Sequence, residues 1–187
     1  TGAAFTALTA SGCVVRPPKN LPFARALGYG NLESDPRGLL DLPPGFQYRV
    51  LSSLGDMMSD GGTVPDKADG MGCFDLGEGR IALVRNHELV STDDGGGAFS
   101  LGFGQKDGRF VPGGTTHIIL DQVTMEVSQQ FRSLGGTIRN CSGGITPWGS
   151  WLSCEESPTG PGQKYGEGLQ QNHGWVFEVP AAVSGLI

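Results

Sequence analysis

No segment of this chain sustains apolar residues at i, i+3, i+4 and i+7, the spacing that gives a helix a buried face. Short runs of alternating apolar and polar residues recur instead, separated by glycine-rich breaks. The chain holds 32 glycines and 12 prolines, so turns and close backbone approaches take up much of its length. This pattern predicts an all-β fold of short antiparallel strands, and their regular spacing favours a sandwich, barrel or propeller. Strands are expected over residues 46–51, 80–85, 115–121, 126–134, 149–153 and 174–179. Gln122-Val123-Thr124-Met125 fits a hairpin connection between the third and fourth of them.

The organisation expected along the chain has three parts. Residues 1–15 are uncharged and rich in small side chains, like an export-signal remnant or leader, and Ala10-Ser11-Gly12-Cys13 is a weak lipobox that would allow a lipid anchor at Cys13. Residues 16–44, with Arg16-Pro17-Pro18-Lys19 and Asp35-Pro36-Arg37-Gly38, read as an irregular extended arm. Residues 45–187 form the folded body. Within it, Cys73 in Gly70-Met71-Gly72-Cys73-Phe74 is expected to be a buried thiol, and 93–109 a long surface loop. Asp93 and Asp94 lack the spacing of an EF-hand.

Several function classes are excluded at this level. Thirteen basic against 19 acidic residues give a net charge of −6 and no basic block, which disfavours a nucleic-acid surface. No run of 18 apolar residues exists, so no transmembrane helix is expected. The four cysteines show no CxxC spacing of a zinc knuckle or redox dithiol.

Ligand-type side chains concentrate in three stretches. Arg85-Asn86-His87-Glu88 follows the apolar run Ile81-Ala82-Leu83-Val84, and a strand end is a rigid platform for a carboxylate, an amide oxygen and an imidazole. Cys141 lies between paired glycines in Gly135-Gly136-Thr137-Ile138-Arg139-Asn140-Cys141-Ser142-Gly143-Gly144, where backbone can approach an ion closely. A thiolate prefers iron or zinc to calcium, so Cys141 reads as a soft ligand in an oxygen-rich site, or else as a structural thiol. Cys154-Glu155-Glu156 ends a strand, and in an extended chain the two carboxylates point to opposite faces. Spacing alone does not choose between Glu155 and Glu156. Convergent carboxylates with few balancing cations make a shared metal cluster the natural reading.

These motifs, with Leu42-Pro43-Pro44-Gly45-Phe46, Asp69-Gly70-Met71 and Thr146-Pro147-Trp148-Gly149, resemble the PhoX alkaline phosphatases from about Leu42 to Val179. The resemblance implies a β-propeller, here partial, and export in folded form by the twin-arginine route to the periplasm or beyond. It also implies a site of iron and calcium that hydrolyses small phosphomonoesters at alkaline pH. Residue by residue, Cys141 would be an iron ligand, Glu156 a carboxylate ligand and Glu88 the third contribution, with Asn86, His87 and Glu155 as further candidates. Family members are several times longer, so the resemblance implies an N-terminal fragment whose partners include carboxylates and a phosphate-binding arginine supplied from further along. A monomer is expected. The rival expectation is a secreted propeller that binds a ligand or partner without catalysis and holds calcium only for structure.

Overall fold

The computed structural model describes residues 28–187. The leader at 1–15, with Cys13, and the first part of the arm lie outside the described residues. The chain divides into two compact units, one ending at Arg49 and the other spanning Val50–Ile187. No helix among the described residues is long and apolar enough to cross a membrane.

In the first unit the Asp35 carboxylate accepts backbone N–H groups of Arg37, Leu39 and Leu40 and the hydroxyl of Tyr48. The Tyr48 hydroxyl does most to hold Asp35 below the usual carboxylate range. The strand expected at 46–51 does not form. Alternation gives an extended segment two faces, but a strand also needs a neighbouring ladder, and here Tyr48 turns back onto the Asp35 turn.

The second unit is built from nine strands, all paired antiparallel: β1 (Ala68–Gly77), β2 (Arg80–His87), β3 (Gln105–Lys106), β4 (Arg109–Phe110), β5 (Gly113–Asp121), β6 (Val127–Thr137), β7 (Asn140–Ile145), β8 (Ser150–Glu155) and β9 (Val176–Pro180). They make a four-stranded sheet in the order β1-β2-β5-β6, a β3-β4 hairpin and a three-stranded sheet in the order β7-β8-β9. Five of the six expected strands are present, and the turn after Asp121 joins β5 to β6 as a hairpin. The strand β1 was not expected, because its glycines at 70 and 72 hide the alternation. The supposed loop at 93–109 contains Gln105, Lys106 and Arg109, three of the four strand residues of the small β3-β4 hairpin. No closed barrel or propeller is present among the described residues.

Each sheet is tied to its surroundings in a way that the residue types explain. On β6, which is an edge strand, the segment before β1 satisfies the free backbone: Ser59 N donates to Gln130 O at 2.6 Å and Arg132 N to Asp60 Oδ2 at 2.7 Å. The two larger sheets share a core in which Phe74, Val84 and Leu134 meet Trp151 and Val179. Trp151 fits because two glycines make room: a Cβ on Gly72 or on Gly143 would collide with its ring. In β1 the inward positions are Gly72 and Phe74, so Cys73 faces outward and is exposed, contrary to the buried thiol expected from sequence.

His117 on β5 is fully buried and stacks on Phe131 with ring centroids 5.2 Å apart. Neither ring nitrogen makes a well-formed hydrogen bond. Burial pushes its pKa down to about 4, against the weaker opposing pull of the Ala181 and Pro180 backbone. The unfolded chain therefore binds this proton more readily, and the stability that neutral His117 supports is complete above about pH 6.5 and is lost as pH falls toward 4. His117→Phe should remove roughly 3 kcal/mol of that acid-side loss. Urea unfolding of wild type and variant at pH 4.5 and 7.5 checks this, and an unchanged pH difference in the variant would refute it.

Candidate metal centre

Two strand pairings place four side chains at one locality. Ala68 pairs with His87 at the end of the β1–β2 ladder, with Asp69 and Glu88 on either side of that pair, and their side chains come within hydrogen-bonding reach of each other. Asn140 pairs with Glu155 across β7 and β8, with Cys141 and Glu156 on either side of that pair, and the Glu156 carboxylate reaches the thiol through its side chain. The two ends are brought together by Asn86, which is fully buried. Its Nδ2 donates to Cys141 O at 2.8 Å and Ser142 O at 3.0 Å. Its Oδ1 accepts from Trp151 Nε1 at 2.9 Å and Ser153 Oγ at 2.8 Å. Gly70 permits the approach, since a Cβ there would stand 2.6 Å from Cys141 O.

The result is that a carboxylate oxygen of Asp69, one of Glu88 and Cys141 Sγ all lie within 4.8 Å of one another. Two donors bound to one ion at 2.0–2.6 Å are separated by at most about 5 Å, so the spacing of the three is compatible with a shared ion. Glu156 joins them through Arg139. The guanidinium donates from Nε and Nη2 to Glu88 Oε1 at 3.0 and 2.7 Å, and from Nη2 to Glu156 Oε1. Arg139 sits in the β6–β7 turn with φ of 51°, a left-handed conformation. Its N donates to Leu89 O at 2.8 Å and its O accepts from Glu156 N at 3.0 Å, so main chain and side chain clamp the same two acidic segments.

Charge is distributed accordingly. The Arg139 hydrogen bond is the largest influence holding Glu88 below its ordinary pKa, and Glu88 in turn raises that of Arg139. The Cys141 thiol is pushed up to about 12, first by its hydrogen bond with Asp69, then by burial and by Glu156. Surrounded by carboxylates, the sulfur keeps its proton until a cation replaces it.

The remaining candidates are turned to other tasks. His87 is buried, with Nδ1 donating to Asp66 O and Nε2 accepting from Thr116 Oγ1, both at 2.9 Å. Burial holds its pKa down at about 4. Glu155 is buried in the opposite direction from Glu156. Its Oε1 accepts from Ile138 N at 2.8 Å and is 2.7 Å from His173 Nδ1, and its Oε2 accepts from Gly174 N at 2.6 Å. Asn86, His87 and Glu155 thus have their polar atoms engaged by protein groups, while Glu88, Cys141 and Glu156 converge. Asp69 and Arg139 complete the cluster. Both stand in the motifs singled out from sequence, but only the pairing of strands distant in sequence reveals what they face.

A family model described as alkaline phosphatase PhoX matches residues 27–119 and 119–184. The chain belongs to the PhoX family. Neither the curated proteins nor the solved structures contain a match. The PhoX match spans Asp69, Glu88, Cys141 and Glu156 together, so the whole cluster falls within family sequence.

The proton on Cys141 offers a direct check. In metal-free protein at pH 8.5, Cys141 should react with iodoacetamide at least about tenfold more slowly than an ordinary exposed thiol, and Asp69→Asn should accelerate it. Mass spectrometry of the labelled peptide gives the rate. Equal rates in wild type and Asp69→Asn would contradict the assigned environment.

Proposed function

We propose that this chain carries a metal-dependent phosphatase centre that hydrolyses phosphomonoesters, with iron held at Cys141 and calcium at the carboxylates of Asp69, Glu88 and Glu156. The observation that carries this reading is the convergence of the Cys141 thiol with the Asp69 and Glu88 carboxylates within 4.8 Å, in a chain of the PhoX family. When bound, such ions supply Lewis acidity and offset the negative charge that a phosphate ester brings and that its transition state spreads over the equatorial oxygens.

The chain's own residues have separable tasks. Cys141 gives up its proton to solvent when a cation enters, which makes metal uptake pH-dependent. Arg139 fixes the directions of Glu88 and Glu156 through hydrogen bonds to both. Asn86 holds the Cys141 backbone. His87, neutral and fully hydrogen-bonded, supports the end of β2 and takes no proton from substrate at alkaline pH. The same reading has residues 45–187 as the catalytic body of a propeller-type architecture, 16–44 as an arm, and a monomeric protein working in the periplasm or outside the cell. A binding module with structural calcium alone would not need a thiol at the centre of the donor set.

The test is Cys141→Ser against Glu156→Gln in the full chain. Cys141→Ser should abolish iron binding and turnover of a chromogenic phosphomonoester while leaving the circular dichroism spectrum unchanged. Glu156→Gln should weaken calcium and retain iron. Elemental analysis, circular dichroism and turnover on purified proteins decide the matter: a serine variant that keeps its iron and full turnover removes Cys141 from the centre, and calcium without iron in wild type selects the binding module.

A further inference from the structure

A pocket of about 570 Å³ opens directly beside the metal centre, a size suited to a small molecule. Its walls are the immediate continuations of the two acidic segments. Ser91 follows Glu88, Ser157 and Thr159 follow Glu156, and Arg139, which clamps both acids, lies between them. Hydroxyl-bearing residues therefore line the space alongside the cluster. The pocket also contains Lys106.

Lys106 differs from the other cation of this lining. Arg139 is committed to two carboxylates, whereas Lys106 forms no salt bridge among the described residues, and its side-chain hydrogen bond is a long one, Nζ to Ser91 Oγ at 3.4 Å. Its backbone is held from two sides, by Arg109 in the β3-β4 hairpin and by a bridge to Leu169. The neighbouring pairs Asp107 N to Gly168 O at 3.0 Å and Gln170 N to Gln105 O at 2.9 Å extend that hold. An ammonium group on a held backbone, with the Ser91 hydroxyl beside it, is suited to an oxygen-rich anion. Glu167 on the same lining makes no ion pair with it and disfavours anions that do not reach the lysine.

We propose that this pocket receives the alcohol portion of the phosphoester and that Lys106 pairs with a second anionic group on it. The preferred substrates are then phosphomonoesters of polyhydroxylated acids, and Lys106 is a specificity-determining residue. This rests on the phosphatase reading of the adjoining centre.

The matched probes are 6-phosphogluconate and sorbitol 6-phosphate, which differ in a terminal carboxylate. With the metal-loaded full chain, KM for 6-phosphogluconate should be about tenfold lower than for sorbitol 6-phosphate, the size of one charge-assisted contact, with similar kcat. Lys106→Gln should erase the KM ratio and Lys106→Arg should retain most of it. A second measurement needs no turnover: NMR titration with gluconate and with sorbitol should show gluconate binding the wild-type chain more tightly, with the difference lost in Lys106→Gln. If Lys106→Gln alters neither the KM ratio nor gluconate binding, the pocket assignment is overturned while the phosphatase reading stands. If gluconate binds through Lys106 but no phosphomonoester is hydrolysed with metals present, the pocket is supported and the phosphatase reading fails.

Discussion

The arrangement depends on one buried carboxamide. Asn86 uses both amide hydrogens and two acceptor positions, donating to two carbonyls of β7 and accepting from two side chains of β8. Because an indole N–H can only donate, the contact with Trp151 fixes which way the amide points. Each such hydrogen bond adds only about 1 kcal/mol net, but a partner left unsatisfied in the interior costs about 1–3 kcal/mol. The four bonds therefore act mainly by penalising every other arrangement of the two sheets. Glu88 is two residues along the same chain, so the group that docks β7 also sets the spacing between Glu88 and Cys141.

A second constraint is electrostatic. Asp69, Glu88 and Glu156 gather around a thiol, and Arg139 is the cation placed against them. Holding a non-glycine residue at φ of 51° costs about 1 kcal/mol or more. The conformation persists because it lets one residue serve both acidic segments through main chain and side chain together. Even so, one guanidinium does not neutralise three carboxylates, and the raised pKa of Cys141 registers the excess. The proton on sulfur stands where a multivalent cation would relieve the repulsion more fully.

How much of this was legible in the sequence follows from what determines each part. Strands such as β5 and β6 were readable because β-branched and apolar residues run up to a polar turn. The segment 46–51 has the same alternation and is no strand, since pairing depends on a partner that alternation does not specify. The strand β1 is the converse: Gly70 and Gly72 give it no β-propensity, yet they are there so that Cys141 O and Trp151 can come close. For the site, the three clusters were visible as residue types at strand ends. Which member of each faces the centre was not, because that depends on register, and a shift of one residue would exchange Glu155 for Glu156. Asp69 and Arg139 gained their roles only through contacts with residues far along the chain.

A common rule underlies those choices. Each cluster sets a buried polar residue beside a more accessible one at the end of a strand. Asn86 and His87 are buried and Glu88 follows them. Asn140 is buried, and Cys141 is next to it. Glu155 points inward onto the β6–β7 turn and the approach to β9, and Glu156 points to Arg139. The inward members are also joined: Asn140 Nδ2 donates to Ser153 Oγ at 2.9 Å, and that hydroxyl donates to Asn86 Oδ1 at 2.8 Å. A continuous buried network thus runs beneath the cluster and fixes the backbone from which Glu88 and Cys141 project, so the donors are set in place before any ion arrives. Such preorganisation lets carboxylates and a thiol stay close despite their mutual repulsion, because the cost of holding them together is met by folding.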